Sequence, residues 1–345
     1  NKFQLNLPIV PITDLAIKND NLIAATQGRS FWMIDDLTPM HQLTSSLVQE
    51  DVILFKPQDS YRMGGGNGRT SKTEGTNHPG GVAINYFIKE KDAKEPVSLQ
   101  IYDSNDALIK TFSTNPNKEK KEAKLTLENG NNIFYWDMMY PGAEKVKGMI
   151  LWWASLNGPM ALPGNYKVTL TMGETSKSQN FSILKNPISE TTLADATAQF
   201  DFINDINTKV TEIHKALKNV KKVRAQVTAL QTSIKNKEKH SELLDYAASL
   251  LKEMTIIEET LYQTKSKSGQ DPLNFPIRLN NKLAHLNSLT RIGSYAPTQQ
   301  AIDFKNEINK EIDKELSKLY DLFNNKVTVL NKKVKDSQID LIQLD

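Results

Sequence analysis

Asp14-Leu-Ala-Ile-Lys-Asn-Asp-Asn-Leu-Ile-Ala-Ala-Thr-Gln-Gly-Arg-Ser-Phe-Trp-Met-Ile-Asp35 is the stretch that decides how the chain begins to fold. Apolar and β-branched runs at 14–17, 21–26 and 30–35 are separated by an Asn-Asp and a Gln-Gly-Arg turn, the punctuation of a tight antiparallel meander. Three strands of that length leave an apolar face without cover. Leu22, Ile23, Phe31, Trp32 and Ile34 need a partner sheet, and the Gly-rich connector that follows offers none. Residues 13–36 are therefore expected to pair with strands from another polypeptide segment, with the chain beginning inside a larger fold.

Working outward, the chain turns polar at Leu37, passes Val52-Ile-Leu-Phe55 and enters a segment from Tyr61 to Gly81 dominated by Gly, Ser, Thr and Asn. Such a composition buries little apolar surface, so 51–80 reads as a linker. Gly64-Gly-Gly-Asn-Gly68 lacks both the Lys-Ser/Thr and the strand-to-helix frame of a phosphate loop. Residues 81–187 then carry seven strand signals, at 82–88, 97–102, 108–112, 124–127, 132–137, 164–171 and 179–184. Their alternation predicts an Ig-like or fibronectin-like β-sandwich. The insertion from Tyr140 to Leu162 exceeds what a hairpin needs and holds Met149, Trp152, Trp153 and Met160.

Beyond Pro187 the period changes from two to 3.6. Ile203, Ile206, Val210, Ile213, Leu217 and Val220 mark one long amphipathic helix. A second is expected over 241–263, a third over 276–289, and a fourth after Pro297-Thr298 through Ile308, Ile312, Leu316, Leu319 and Phe323. Short polar connections, and stripes widened by Phe202, Leu243, Leu250, Ile256 and Phe304, predict an intramolecular antiparallel bundle over 188–345.

The 345 residues are 39% hydrophobic, enough for real cores, and the net charge of +3 from 43 basic and 40 acidic side chains gives no field that would favour nucleic acid. There is no cysteine, which removes disulfides, thiolate metal ligands and thiol nucleophiles together. No run approaches the ~18 apolar residues of a membrane span. The five histidines, His41, His78, His214, His240 and His285, show no metal-ligand spacing. No nucleophile elbow is framed, and Asp35-Asp36 sit side by side at a strand end, pointing in opposite directions. The reading assigns no catalytic, metal or cofactor-binding residues. Candidate contacts for a partner or a carbohydrate are Trp152, Trp153, Arg278 and His285; Arg278, Asn281, Lys282 and His285 can share one helical face. A buried hydrogen-bond network is the competing reading of that group.

Ala24 to Pro39, followed by Gln42-Leu43, resembles the closing blade of the large secreted β-propellers related to sortilin and to BNR (Asp-box) glycoside hydrolases, and its sharpest motif is Gly28-Arg29-Ser30-Phe31-Trp32. In bacterial members that blade is followed by a Gly-rich linker, an Ig-like domain and a helical region. Pro163-Gly-Asn-Tyr166 is similar to the strand lead-in of such bacterial modules. The resemblance implies a last propeller blade over 1–50, with Gly28, Arg29, Trp32 and Asp35 closing it and Asp35 pairing with Arg29. It also implies a secreted, periplasmic or outer-membrane-associated bacterial protein. Its partners would be an upstream propeller segment or an associated chain, a cell-surface complex, or a glycan. The Asp-box pattern Ser-x-Asp-x-Gly-x-x-Trp is absent, so the region reads as a non-catalytic structural and interaction module. The alternatives are an accessory region of a glycoside hydrolase or of a sortilin-like peptide receptor.

Overall fold

The structure, a computed structural model, describes residues 5–66, 77–90, 95–119, 121–234 and 238–339. The chain divides into two compact units, one of residues 1–138 with 161–189 and one of residues 139–160 with 190–345.

In the first unit, β1 (Ile12–Lys18), β2 (Asn21–Thr26) and β3 (Phe31–Ile34) form an antiparallel three-stranded sheet in sequence order. Asn19 and Asp20 join β1 to β2 with φ of 49° and 61°. Two successive left-handed residues make the tight turn whose twist matches the flanking strands. After β3 the Asp36 carboxylate accepts from the backbone N–H of Thr38 at 2.9 Å and from its hydroxyl at 2.5 Å. This turns the chain into the short α1 (Thr38–His41). Asp36 also accepts from Gln58 Nε2 and Asn85 Nδ2, each at 3.2 Å.

The strands that follow are β4 (Val52–Leu54), β5 (Ser60–Tyr61), β6 (Val82–Ile88), β7 (Val97–Tyr102), β8 (Leu108–Ser113), β9 (Ala123–Lys124), β10 (Gly130–Trp136), β11 (Gly164–Met172) and β12 (Thr175–Leu184). One antiparallel sheet has the order β10-β6-β4, and a six-stranded sheet has the order β5-β12-β11-β7-β8-β9. In that second sheet β5 and β9 run parallel to their neighbours. Period-two patterning produces the buried face: Val97, Leu99 and Ile101 on β7, and Tyr166, Val168 and Leu170 on β11, alternate with more exposed neighbours. Ile84, Tyr86, Ile88 and Trp136 of the other sheet are also buried. The Trp136 ring lies 5.7 Å from Tyr166 and 6.1 Å from Phe181. Burial pushes the pKa of the Tyr86 phenol up to about 12.

The second unit contains α2 (Leu193–Ile234), α3 (Ser241–Leu261), α4 (Leu279–Thr290), α5 (Gln299–Asp321), a π-helical turn (Leu322–Val327) and α6 (Thr328–Asp336). A reciprocal cap starts α2. The Thr192 hydroxyl accepts from the Asp195 N–H, and the Asp195 carboxylate accepts from the Thr192 N–H. Its 42 residues reach about 63 Å, and they bury Ile206, Val210, Ile213, Leu217 and Val220 along one stripe. The 2.5 Å contact of Arg224 with Glu258 joins α2 to α3, and the pairs Lys333–Glu242 and Lys326–Glu253 run α6 and the π-helical turn back along α3. Helix α5 runs in the same direction as α2, with Lys305 on Asp205 at 2.8 Å and Lys209 on Asp313 at 2.7 Å.

These observations correct the expected sequence of propeller blade, Ig-like sandwich and antiparallel bundle. The fold is mixed α/β: a six-stranded sheet, two three-stranded sheets and a long helical region, with no closed propeller among the described residues. The physical reasons are local. Asp36 turns the chain into α1 directly after β3. The stretch expected to be linker supplies β4 and β5, since Val52 to Phe55 is a continuous apolar run buried at every position. Parallel pairing at β5 and β9 departs from an all-hairpin sandwich, and α2 and α5 run side by side in one direction. Phe202, Leu243 and Leu250 are buried as expected, but Ile256 and Phe304 face solvent. Asn67 and Gly68, at the end of the dismissed phosphate-loop segment, lie outside the described residues.

Candidate interaction surface

Register places the side chains of the first sheet on two faces. Leu15 pairs with Ala24 and Ala24 with Trp32, while Ile17 pairs with Leu22 and Leu22 with Ile34. One face therefore carries Leu15, Ile17, Leu22, Ala24, Trp32 and Ile34. The other carries Ala16, Ile23, Ala25, Phe31 and Met33 together with Asp14, Lys18 and Asn21. The first face is apolar across these six positions, and the second mixes its apolar residues with Asp14 and Lys18 on β1 and Asn21 at the start of β2. A cavity of about 350 Å³ opens on the first, bordered in part by Leu5 and Leu7. All seven positions of β1 are exposed, with Ile17 at 66%, and Phe31 on β3 reaches 76%. Among the described residues, the outer edges of β1 and β3 have no neighbouring strand.

The residues singled out for propeller closure fall in one tight turn of this sheet. Gly28 adopts φ 79° at its tip. The Trp32 indole N–H donates to the Arg29 carbonyl at 2.9 Å, and the Thr26 hydroxyl donates to the Ser30 carbonyl at 2.6 Å. The expected pair between Arg29 and Asp35 does not form: the Arg29 guanidinium donates to the Gly28 carbonyl, and among the described residues no ion pair joins it to Asp35. The adjacent carboxylate of Asp36 ties the sheet to the rest of its unit.

The other candidates lie in the helical unit. Trp152 and Trp153 sit in the 139–160 insertion, which has no regular structure and whose backbone groups are met by side chains of α2 and α4. Asn281 clamps Trp152 from both sides, its Oδ1 accepting the Trp152 N–H at 2.7 Å and its Nδ2 donating to the Trp152 carbonyl at 2.9 Å. The Asn157 carbonyl accepts from Asn207 Nδ2 at 2.9 Å and from Asn287 Nδ2 at 3.1 Å, and Arg291 donates to Ser155 Oγ and to the Gly158 carbonyl. His214, fully buried, meets the Glu144 carbonyl through Nδ1 at 2.5 Å and Asn280 Nδ2 through Nε2 at 3.4 Å. A carbonyl only accepts, so Nδ1 carries the proton and Nε2 is the acceptor. Burial lowers the pKa of this imidazole, reinforced by the Lys218 charge and opposed by its bond to Glu144.

The four polar residues expected on one face of α4 are thus divided. Asn281 turns inward to the insertion. Lys282 and His285 border an open cleft towards α5, and Arg278 is exposed at the helix start. Trp153 is 76% exposed with φ 52°, whereas Trp152 is half-buried against its clamp. The sequence reading missed His214, Asn207, Asn280, Asn287 and Arg291. The available signal was three asparagines inside the 12-residue α4, where their side chains compete with the helix backbone unless another partner holds them.

Among the described residues no group of three or more His, Cys, Asp or Glu side chains is placed to hold a metal ion, and no helix is long and apolar enough to cross a membrane. No protein-family model and no curated protein matches the chain.

Proposed function

We propose that the chain is a non-catalytic interaction module whose N-terminal sheet is completed by β-strands of another polypeptide segment. The observation that carries this reading is the first sheet itself: one apolar face of Leu15, Ile17, Leu22, Ala24, Trp32 and Ile34, full exposure along β1, and, among the described residues, no neighbouring strand at either edge. Unpaired edge N–H and C=O groups are a template for strand addition, and an adjoining apolar face adds the affinity. A polypeptide partner is favoured over a glycan because the surface offers main-chain donors and acceptors and aliphatic side chains, whereas the exposed Trp153 belongs to a different unit. The resemblance to sortilin-like and BNR-type proteins supports placing the module in a secreted, periplasmic or cell-surface bacterial protein. The alternative in the same setting is an accessory region of a glycoside hydrolase or of a peptide receptor.

Hydrogen exchange tests the proposal by comparing the isolated 345-residue chain with the same protein isolated intact from its source. Amides of residues 12–34 are expected to exchange much more slowly in the native assembly. Equal exchange in both preparations sinks strand completion. Glycan hydrolysis by the isolated chain, lost on replacing one of its carboxylates, sinks the non-catalytic reading.

A further inference from the structure

A cleft of about 690 Å³ opens at the corner where α4 passes through residues 291–298 into α5. That size lies within the ~300–1,000 Å³ of small-molecule sites. Its walls are apolar side chains left in water: Ile292 is 72% exposed and Tyr295 70%, and Leu289 and Phe304 are also exposed. The loop that builds one wall is shaped by Gly293, which has φ 70°. A Cβ there would come within 2.8 Å of the Tyr295 ring, so the tyrosine packs directly over the glycine.

The polar rim is one-sided. Lys282 and His285 lie three residues apart on α4, hence on one face, and both border the cleft. None of the residues lining it is an Asp or a Glu. Among the described residues, neither the Lys282 ammonium nor the His285 ring has an ion-pair or hydrogen-bond partner. Lys209, Lys218, Lys305, Lys326 and Lys333 of this unit each meet a carboxylate, whereas Lys282 meets none among the described residues. An apolar trough ending in unneutralised N–H donors is complementary to a molecule with an aliphatic body and an anionic head.

We propose that this cleft binds a fatty-acid-like carboxylate, its chain along Leu289, Ile292 and Phe304 and its head at Lys282 and His285. The aliphatic part would cover side chains now facing water, and the head would gain charge-assisted hydrogen bonds without displacing an existing pair.

Calorimetric titration of the full chain with dodecanoate, kept below its micellar concentration, tests the site, with dodecanol and dodecyltrimethylammonium as head-group controls. One dodecanoate per chain is expected, with the cationic amphiphile failing to saturate. Lys282→Glu, at an exposed position, is expected to weaken dodecanoate by about tenfold or more. Leu289→Asp, also exposed, is expected to abolish binding, and circular dichroism on both variants verifies that α4 and α5 remain folded. Absence of saturable binding overturns the proposal, as does equal affinity of the wild type and Lys282→Glu, or equal affinity for dodecanoate and dodecanol. A chain that dimerises without lipid, and is returned to monomer by Leu289→Asp, assigns the cleft to a second copy and also overturns it.

Discussion

Asn281→Ala isolates what holds the 139–160 insertion in place. The wild-type side chain makes two hydrogen bonds to one residue, at 2.7 Å to the Trp152 N–H and 2.9 Å to its carbonyl. Asn281 is buried and Trp152 half-buried. Removing the amide strands both backbone groups, and an unsatisfied buried polar group costs about 1–3 kcal/mol. Partial exposure of Trp152 lets water recover part of that, while the missing side-chain volume adds to it, so a loss of about 2–4 kcal/mol is expected. Asn281→Asp is expected to be at least as damaging, because a carboxylate still accepts from the N–H but opposes the carbonyl with a buried charge. Urea denaturation of the full chain, followed by helical circular dichroism, gives the loss as a shifted midpoint at constant slope. Amide exchange at Trp152 should rise in the same variants. A loss below about 0.5 kcal/mol, the range of ordinary surface changes, with Trp152 exchange unaltered, would refute the clamp.

The buried His214 makes the helical unit sensitive to acid. Its pKa is lowered in the fold, so its contribution is complete above the unfolded value of about 6.5 and is lost as pH falls towards the folded value. Stability measured between pH 7.5 and 5 should fall for the wild type and fall less for His214→Leu; parallel curves would contradict this. Asp36→Ala removes the acceptor of the buried Asn85 amide and of Gln58, and is expected to cost the sheet unit about 1–3 kcal/mol by denaturant titration. Ile213→Asp places an unpaired charge at a fully buried position, at an expected cost of about 3 kcal/mol or more, independent of protein concentration. A midpoint that rises with concentration would show that another chain shares this core.

Much of the local structure was legible because burial imposes its period on the sequence. Val97, Leu99 and Ile101 alternate, Ile206, Val210, Ile213, Leu217 and Val220 follow the helical turn, and all are buried. Topology was not legible in the same way. Val52 to Phe55 has no alternation because both of its faces are covered, so it passed for a break inside a linker. The partners of Asn207, Asn281 and Asn287 lie 50 to 130 residues away, and an asparagine's sequence position carries no record of whose backbone it meets. The cleft was hidden for another reason: Ile292 and Tyr295 stand in a loop, outside any period that marks an apolar residue as facing something.

The chain leaves the sheet unit after Met138, lays 22 residues among the helices, and returns at Ala161 before the helices themselves are made. Read in the order of synthesis, that insertion emerges before every residue that will hold it. Its backbone donors and acceptors wait in water until Asn207, Asn281 and Asn287 exist, so the helical unit cannot mature while its own first piece is being translated. The same order sets a rule for dissection by protease or by gene truncation. A cut at 189/190 does not separate two self-sufficient halves; it delivers helices with empty amide clamps and a sheet unit carrying a loose 22-residue loop. Recovering the helical unit intact requires supplying residues 139–160 as a second peptide, and the affinity of that peptide would measure the insertion's grip directly.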